Sequence, residues 1–143
     1  MAQVGLLEDN MRIANLCATM LQYAGHQVTV YRHPRECLDA LLLEPIMSES
    51  RLYIHKAIPS QVLPVDVLIL DLNLPDIPGL EVVNSLRANP RTQFLPLIFC
   101  TAASSPEILR ALRVAPSASF IEKPFTFQQL TSTITSALNP LKE

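Results

Sequence analysis

Two acidic residues, Glu8 and Asp9, follow the first apolar run of the chain, and a third, Asp71, follows the third run. Thr101 closes the fourth run and Lys123 the fifth. In an open α/β sheet, ligands bind outside the carboxyl ends of the strands, near the point where strand order reverses. If the third strand lies beside the first, Glu8, Asp9 and Asp71 share one cleft. At about 4 Å and an effective dielectric near 20, each pair of carboxylates repels by on the order of 4 kcal/mol. Such a cleft keeps some of its carboxyls protonated or holds a cation among them. Hard oxygen donors, few in number and leaving room for water, suit Mg²⁺ better than a fully caged Ca²⁺. Lys123 adds an ammonium and Thr101 a hydroxyl. A metal, an ammonium and a hydroxyl around one carboxylate make a site for a phosphoryl group. Asp71 can itself be the acceptor, because an aspartate carboxylate held in line forms an acyl-phosphate. Singly, each residue has an ordinary reading, as a helix cap, a solvated charge or a strand end. The information lies in all five in this order, with Pro124 directly after Lys123.

The elements that position them are legible from periodicity. Short apolar runs at Val4–Leu7, Val28–Val30, Val65–Leu70, Leu95–Cys100 and Ser119–Ile121 read as buried strands. Between them, Ile13, Leu16, Cys17, Met20, Leu21 and Ala24 recur at helical steps, and Gly25 stops that helix. Cys37, Leu38, Leu41 and Leu42 form a second stripe, with Pro34 at a first helical position. Leu80, Val83 and Leu86 form a third, and Ile108, Leu109 and Leu112, entered through Ser105-Pro106-Glu107, a fourth. The last helix opens on the capping-box pattern Thr126-Phe-Gln-Gln129 and presents Phe127, Leu130, Ile134, Leu138 and Leu141. Strand alternating with helix five times predicts an α/β fold, a doubly wound five-stranded parallel sheet with helices on both faces. The strand ends fall near Asp9, Tyr31, Asp71, Thr101 and Lys123, at gaps of 22, 40, 30 and 22 residues. The long gap marks an insertion at about 45–64, between the second helix and the third strand, with prolines at 45, 59 and 64. Those prolines forbid one continuous helix. A packed surface loop is expected there, with Leu52, Tyr53 and Ile54 as candidates for a contact surface.

Composition narrows the class. At 143 residues the chain is one domain by length and large enough for a single core. Hydrophobic residues are 49% and charged residues 17%, which excludes disorder. A net charge of −2 gives no basic face for nucleic acid. Cys17, Cys37 and Cys100 are odd in number and lack metal-ligand spacing, so free buried thiols in a reducing compartment are expected. Glu8 and Asp9 arrive before any apolar stretch of signal-peptide length, and the longest uncharged stretch, 124–141, is rich in Thr, Ser and Gln. Secretion and membrane insertion are therefore not expected. The expectation is a soluble, cytoplasmic protein.

The site residues, with their neighbours, resemble the receiver domain of response regulators in two-component phosphorelay signalling. The likeness rests on Glu8-Asp9-Asn10, Val67-Leu-Ile-Leu-Asp71-Leu-Asn-Leu-Pro75, Gly79-Leu80, Thr101-Ala102-Ala103 and Phe120-Ile-Glu-Lys123-Pro124-Phe125. It covers nearly the whole chain, so residues 1–143 are expected to form a single receiver domain. The resemblance implies the flavodoxin-like strand order 2-1-3-4-5. It implies Asp71 as phosphoacceptor and Mg²⁺ as cofactor, held by Glu8, Asp9, Asp71 and the backbone carbonyl of Asn73. Lys123 would pair with phosphoryl oxygens, Thr101 would swing toward them, and Phe120 would turn inward as the aromatic switch. Lys123-Pro124 is similar to a cis peptide of the family. The implied phosphodonor is a histidine kinase or a histidine phosphotransfer protein. The output surface would be the fourth helix, fifth strand and fifth helix, through which a homodimer could also form.

Three departures concern how a signal leaves the domain. Phe120 replaces the commoner tyrosine, so coupling must run through ring packing. Pro116 and Ser117 stand where the family usually has Gly-Ala, which restricts the turn into the fifth strand. The insertion has no common counterpart. About twenty residues follow Lys123, so no output domain is expected within this sequence. One alternative is a phosphorylation-independent interaction module on the same fold, contacting partners through the insertion. A phosphatase forming an aspartyl-phosphate would want a second aspartate where Asn73 stands. A flavodoxin-like cofactor site would have its phosphate repelled by Glu8 and Asp9.

Overall fold

Alternation along the strands builds two cores, one on each face of a single sheet. In a computed structural model, which describes residues 1–42, 63–74, 76–102 and 105–139, β1 (Gln3–Leu7) turns Val4 and Leu6 to one face and Leu7 to the other. In β3 (Val67–Leu70), Val67 and Ile69 separate from Leu68 and Leu70; in β4 (Leu97–Thr101), Ile98 and Cys100 separate from Leu97 and Phe99. A strand's two-residue period requires this split. The edge strands β2 (Gln27–Tyr31) and β5 (Ser119–Glu122) alternate buried and exposed positions more openly. All pairings are parallel and the order is β2-β1-β3-β4-β5, as the resemblance implied.

Five helices lie among the described residues. One face carries α1 (Met11–Tyr23) and α5 (Phe127–Leu138), which pack Ala14, Cys17, Leu21, Leu130 and Ile134 on the sheet. The other carries α2 (Pro34–Leu42), α3 (Gly79–Ala88) and α4 (Ser105–Val114), with Cys37, Leu41, Val83, Leu86 and Ala111 inward. Pro34 is the first residue of α2, where its missing N–H has no cost. Gly25, at φ 97°, closes α1 in a conformation that disfavours any side chain. Thr126 and Gln129 make the reciprocal capping box at the start of α5.

Several sequence expectations are corrected. Leu109 is 60% exposed, and the inward stripe of α4 is Ile108, Ala111 and Leu112, continued by buried Ala115 just past its end. Residue 109 lies about 100° around the helix from 108, outside that arc. Leu16 is likewise 54% exposed, about 100° around α1 from Cys17, and Ala24 is exposed because it lies beyond the end of the helix. β3 starts at Val67, not Val65, because Asp66 folds its carboxylate onto the Gln3 N–H (2.8 Å). β4 starts at Leu97, not Leu95, since the Leu95 N–H closes a turn onto the Thr92 carbonyl (3.0 Å) and Pro96 has none. The proposed insertion lies outside the described residues except for Leu63, half-buried, and Pro64, exposed; Leu141 also lies outside them. Among the described residues, no helix is long and apolar enough to cross a membrane.

Candidate functional site

Register carries the acidic residues to one place. β1 and β3 pair with Leu7 opposite Leu70, so Glu8 and Asp71, the next residue of each strand, emerge abreast. The Asp71 N–H donates to the Leu7 carbonyl (3.1 Å), and the Glu8 N–H donates to the Tyr31 carbonyl at the end of β2 (3.1 Å). Glu8 is 2% and Asp71 6% exposed, whereas Asp9 faces solvent. Their carboxylates, with that of Asp9, offer oxygens within 4.8 Å of one another. Three of the five sequence-derived residues thus form one cluster.

Lys123 completes it. The Lys123 N–H donates to the Thr101 carbonyl (3.2 Å), which holds the end of β5 beside β4. Its Nζ then donates to Glu8 Oε1 (2.8 Å) and Asp71 Oδ2 (2.9 Å) at the same time. The peptide bond from Lys123 to Pro124 is cis. Sequence reasoning placed this ammonium on phosphoryl oxygens and did not foresee that it would bridge two of the carboxylates. The remaining acceptor oxygens are held by backbone donors. Asn10 N donates to Glu8 Oε2 (3.1 Å) and Asn73 N to Asp71 Oδ1 (2.9 Å). Asn10 also caps α1, its Oδ1 accepting from the N–H groups of Arg12 and Ile13. An Asn just before an amphipathic run carries that cap signal in the sequence.

The electrostatics are mixed. Burial pushes the Glu8 carboxyl above the usual carboxylate range, and the bonds from Lys123 and the Asn10 backbone only partly offset this. For Lys123, burial works against the charged form, but the two carboxylates outweigh it and hold the ammonium protonated beyond the usual lysine range. Three carboxylates against one ammonium leave two formal negative charges, the complement of a divalent cation. All the donors are hard oxygens, so the residues present fit Mg²⁺.

Thr101 is fully buried at the last position of β4, joined to the cluster through its carbonyl, which accepts from the Lys123 N–H. Phe120 stands on the edge strand, in register with Phe99, with its side chain half exposed. The loop behind Asp71 is folded tightly: Gly79 N donates to the Leu72 carbonyl (3.1 Å), and a Cβ at Gly79 would lie 2.5 Å from the Leu72 Cα. Cys17 and Cys100 lie in the core on the α1–α5 face, and Cys37 in the opposite core. Burial pushes their thiols up to about 11, about 12 and about 12 respectively.

Against this geometry, the sequence profile of the response regulator receiver domain matches residues 4–135. The chain belongs to that family: it is a receiver domain of two-component response regulators. It is similar to the transcriptional regulatory protein CreB of Escherichia coli K12, 32% identical over 142 residues, covering 98% of this chain and 52% of that protein. A probable cyclic di-GMP phosphodiesterase of Vibrio cholerae is 32% identical over 71 residues, half of this chain and 16% of that protein. Among solved structures, the chemotaxis protein CheY4 of Vibrio cholerae superposes with a TM-score of 0.73 at 26% identity, over 96% of this chain and 99% of that one. The chain spans about half the length of CreB and less of the phosphodiesterase. The family is a signalling domain that works as a phosphoacceptor, and its members bind Mg²⁺ at an acidic pocket such as this one.

Proposed function

We propose that residues 1–143 act as one receiver domain in which Asp71 accepts a phosphoryl group from a histidine kinase or a histidine phosphotransfer protein. The observation that carries this is the Lys123 ammonium seated between Glu8 and Asp71, inside a cluster of three carboxylates. Glu8, Asp9, Asp71 and the backbone carbonyl of Asn73 would hold Mg²⁺. When bound, the ion supplies positive charge to the phosphoryl oxygens and brings them alongside Asp71.

Transfer needs one new bond and one broken one. A carboxylate oxygen of Asp71 bonds to phosphorus as the phosphorus–nitrogen bond of a phosphohistidine breaks, and the electron pair returns to the imidazole. Forming the acyl-phosphate cancels the charge that Lys123 pairs with on Asp71, while the phosphoryl group brings roughly −1.5 to −2. The ammonium therefore re-partners to a phosphoryl oxygen, and the Thr101 hydroxyl reaches another. Phe120, half exposed at rest, turns inward and changes the surface of α4, β5 and α5. That surface is the candidate contact for a downstream partner or a second copy in the cytoplasm. The intact acidic set disfavours an interaction module that ignores phosphorylation.

The test is binding of beryllofluoride with Mg²⁺, a phosphoryl mimic. Wild type should bind and Asp71→Ala should not. Undiminished binding by Asp71→Ala would overturn the acceptor assignment.

A further inference from the structure

The turn after β2 reaches across to the loop that carries the acceptor. His33 Nε2 lies 2.7 Å from Asp76 Oδ2, 43 residues further along the chain. His33 Nδ1 accepts the Arg35 N–H (3.2 Å), so the ring proton sits on Nε2 and is donated to Asp76. The imidazole stands on a stiff base. The His33 carbonyl accepts from Cys37 N (3.1 Å), Glu36 Oε1 accepts from Arg32 N (3.0 Å), and Pro34 is buried beneath. This base begins at Arg32, directly after Tyr31, whose carbonyl holds the Glu8 backbone.

The loop after β3 is anchored at its other points by different means. Leu72 and Leu74 are buried in the core, Leu72 bonds Gly79, and Asn73 N bonds Asp71 Oδ1. Asp76 is exposed beyond those anchors, followed by Ile77, which packs half-buried against the core, and by Pro78, which caps α3 without a side-chain bond. Among the described residues, neither member of the pair is hydrogen-bonded or ion-paired to the acidic cluster, and the function described above does not use them.

We propose that His33 and Asp76 are a positioning pair: their hydrogen bond ties the turn after β2 to the loop after β3 and so fixes where Asn73 stands beside Asp71. The proposal rests on the reading of Asn73 as a metal-binding carbonyl. It makes the two loops around the acidic cluster one unit, with Glu8 steadied from one side and Asn73 from the other.

Calorimetric titration with Mg²⁺ tests it on the full chain, with wild type, His33→Ala, Asp76→Ala, the double variant, His33→Gln and Asp9→Asn. Each alanine variant should bind Mg²⁺ about twofold to fivefold more weakly, the range for an exposed pair. The double variant should bind no more weakly than the poorer single, because the two side chains act through one bond. His33→Gln, which keeps a donor, should recover at least half of the loss. A merely structural role would instead lower the thermal midpoint and leave Mg²⁺ affinity alone. Unchanged affinity in both single variants, or losses that add in the double, overturns the pair while Asp9→Asn still shows the metal site intact as assigned. If wild type binds no Mg²⁺, or Asp9→Asn binds it equally well, the metal site is wrong and the pair falls with it.

Discussion

Lys123 and Glu8 are 115 positions apart in the chain and 2.8 Å apart in the fold. The same ammonium reaches Asp71 at 2.9 Å, so one side chain neutralises parts of two strands that would otherwise repel. Lys123 is 15% exposed and its partners less, which places the contact among buried charge pairs rather than surface ones.

Removing that charge should therefore be costly. Lys123→Met leaves Glu8 and Asp71 facing each other, and the expected loss is about 3 kcal/mol, as for a buried pair stripped of one partner. Urea denaturation without metal measures it. Saturating Mg²⁺ should raise the denaturation midpoint of the variant more than that of wild type, because an added cation then has two uncompensated carboxylates to relieve.

Gly79 tests the loop behind the acceptor. An added Cβ would lie 2.5, 2.7 and 2.9 Å from Leu72 Cα, O and C, and backbone atoms cannot step aside cheaply. Gly79→Ala should lose about 1–3 kcal/mol by overpacking and weaken beryllofluoride binding, since Asn73 follows Leu72 directly. Thermal unfolding and a binding titration read the two effects separately.

The thiols set an alkaline limit. Burial pushes the Cys17, Cys37 and Cys100 thiols up from an ordinary value of 9.0 to about 11, about 12 and about 12. Raised folded-state values mean a contribution fully present below pH 9 and lost as pH climbs toward 11 to 12, where the unfolded chain has already released its protons. Each thiol should remove about 1.4 kcal/mol per pH unit within that window. Replacing Cys37 by Ala should flatten the slope of stability against pH above 9. At pH 8 the native thiols should resist alkylation until denaturant is added.

The exposed leucines separate surface from core. Leu109→Ala should change stability by less than about 0.5 kcal/mol, as for ordinary surface positions. Leu130→Ala, at a fully buried site on α5, should cost about 2–5 kcal/mol. Chemical denaturation of the two variants side by side checks the face assigned to each helix.

Much of this was legible because it depends on local pattern. Apolar runs placed all five strands within two residues, and Pro34, Gly25 and Thr126 marked helix ends through backbone chemistry that acts within a few positions. Glu8, Asp9 and Asp71 were recognisable because a carboxylate after an apolar run is out of place. Pairings between distant side chains were not legible. Nothing in the sequence says that Lys123 bridges Glu8 and Asp71 or that His33 meets Asp76, because those contacts depend on how loops bend above the sheet. Leu16 and Leu109 misled for a related reason. Helical spacing alone does not set how wide a buried stripe is, and small residues such as Ala14 and Ala111 took the inward positions where helix and sheet approach closely.

A pocket furnished with its own tethered cation has an understudy for magnesium. Chelation should mute such a switch without dismantling it, leaving a folded but deaf protein that answers again as soon as the ion returns.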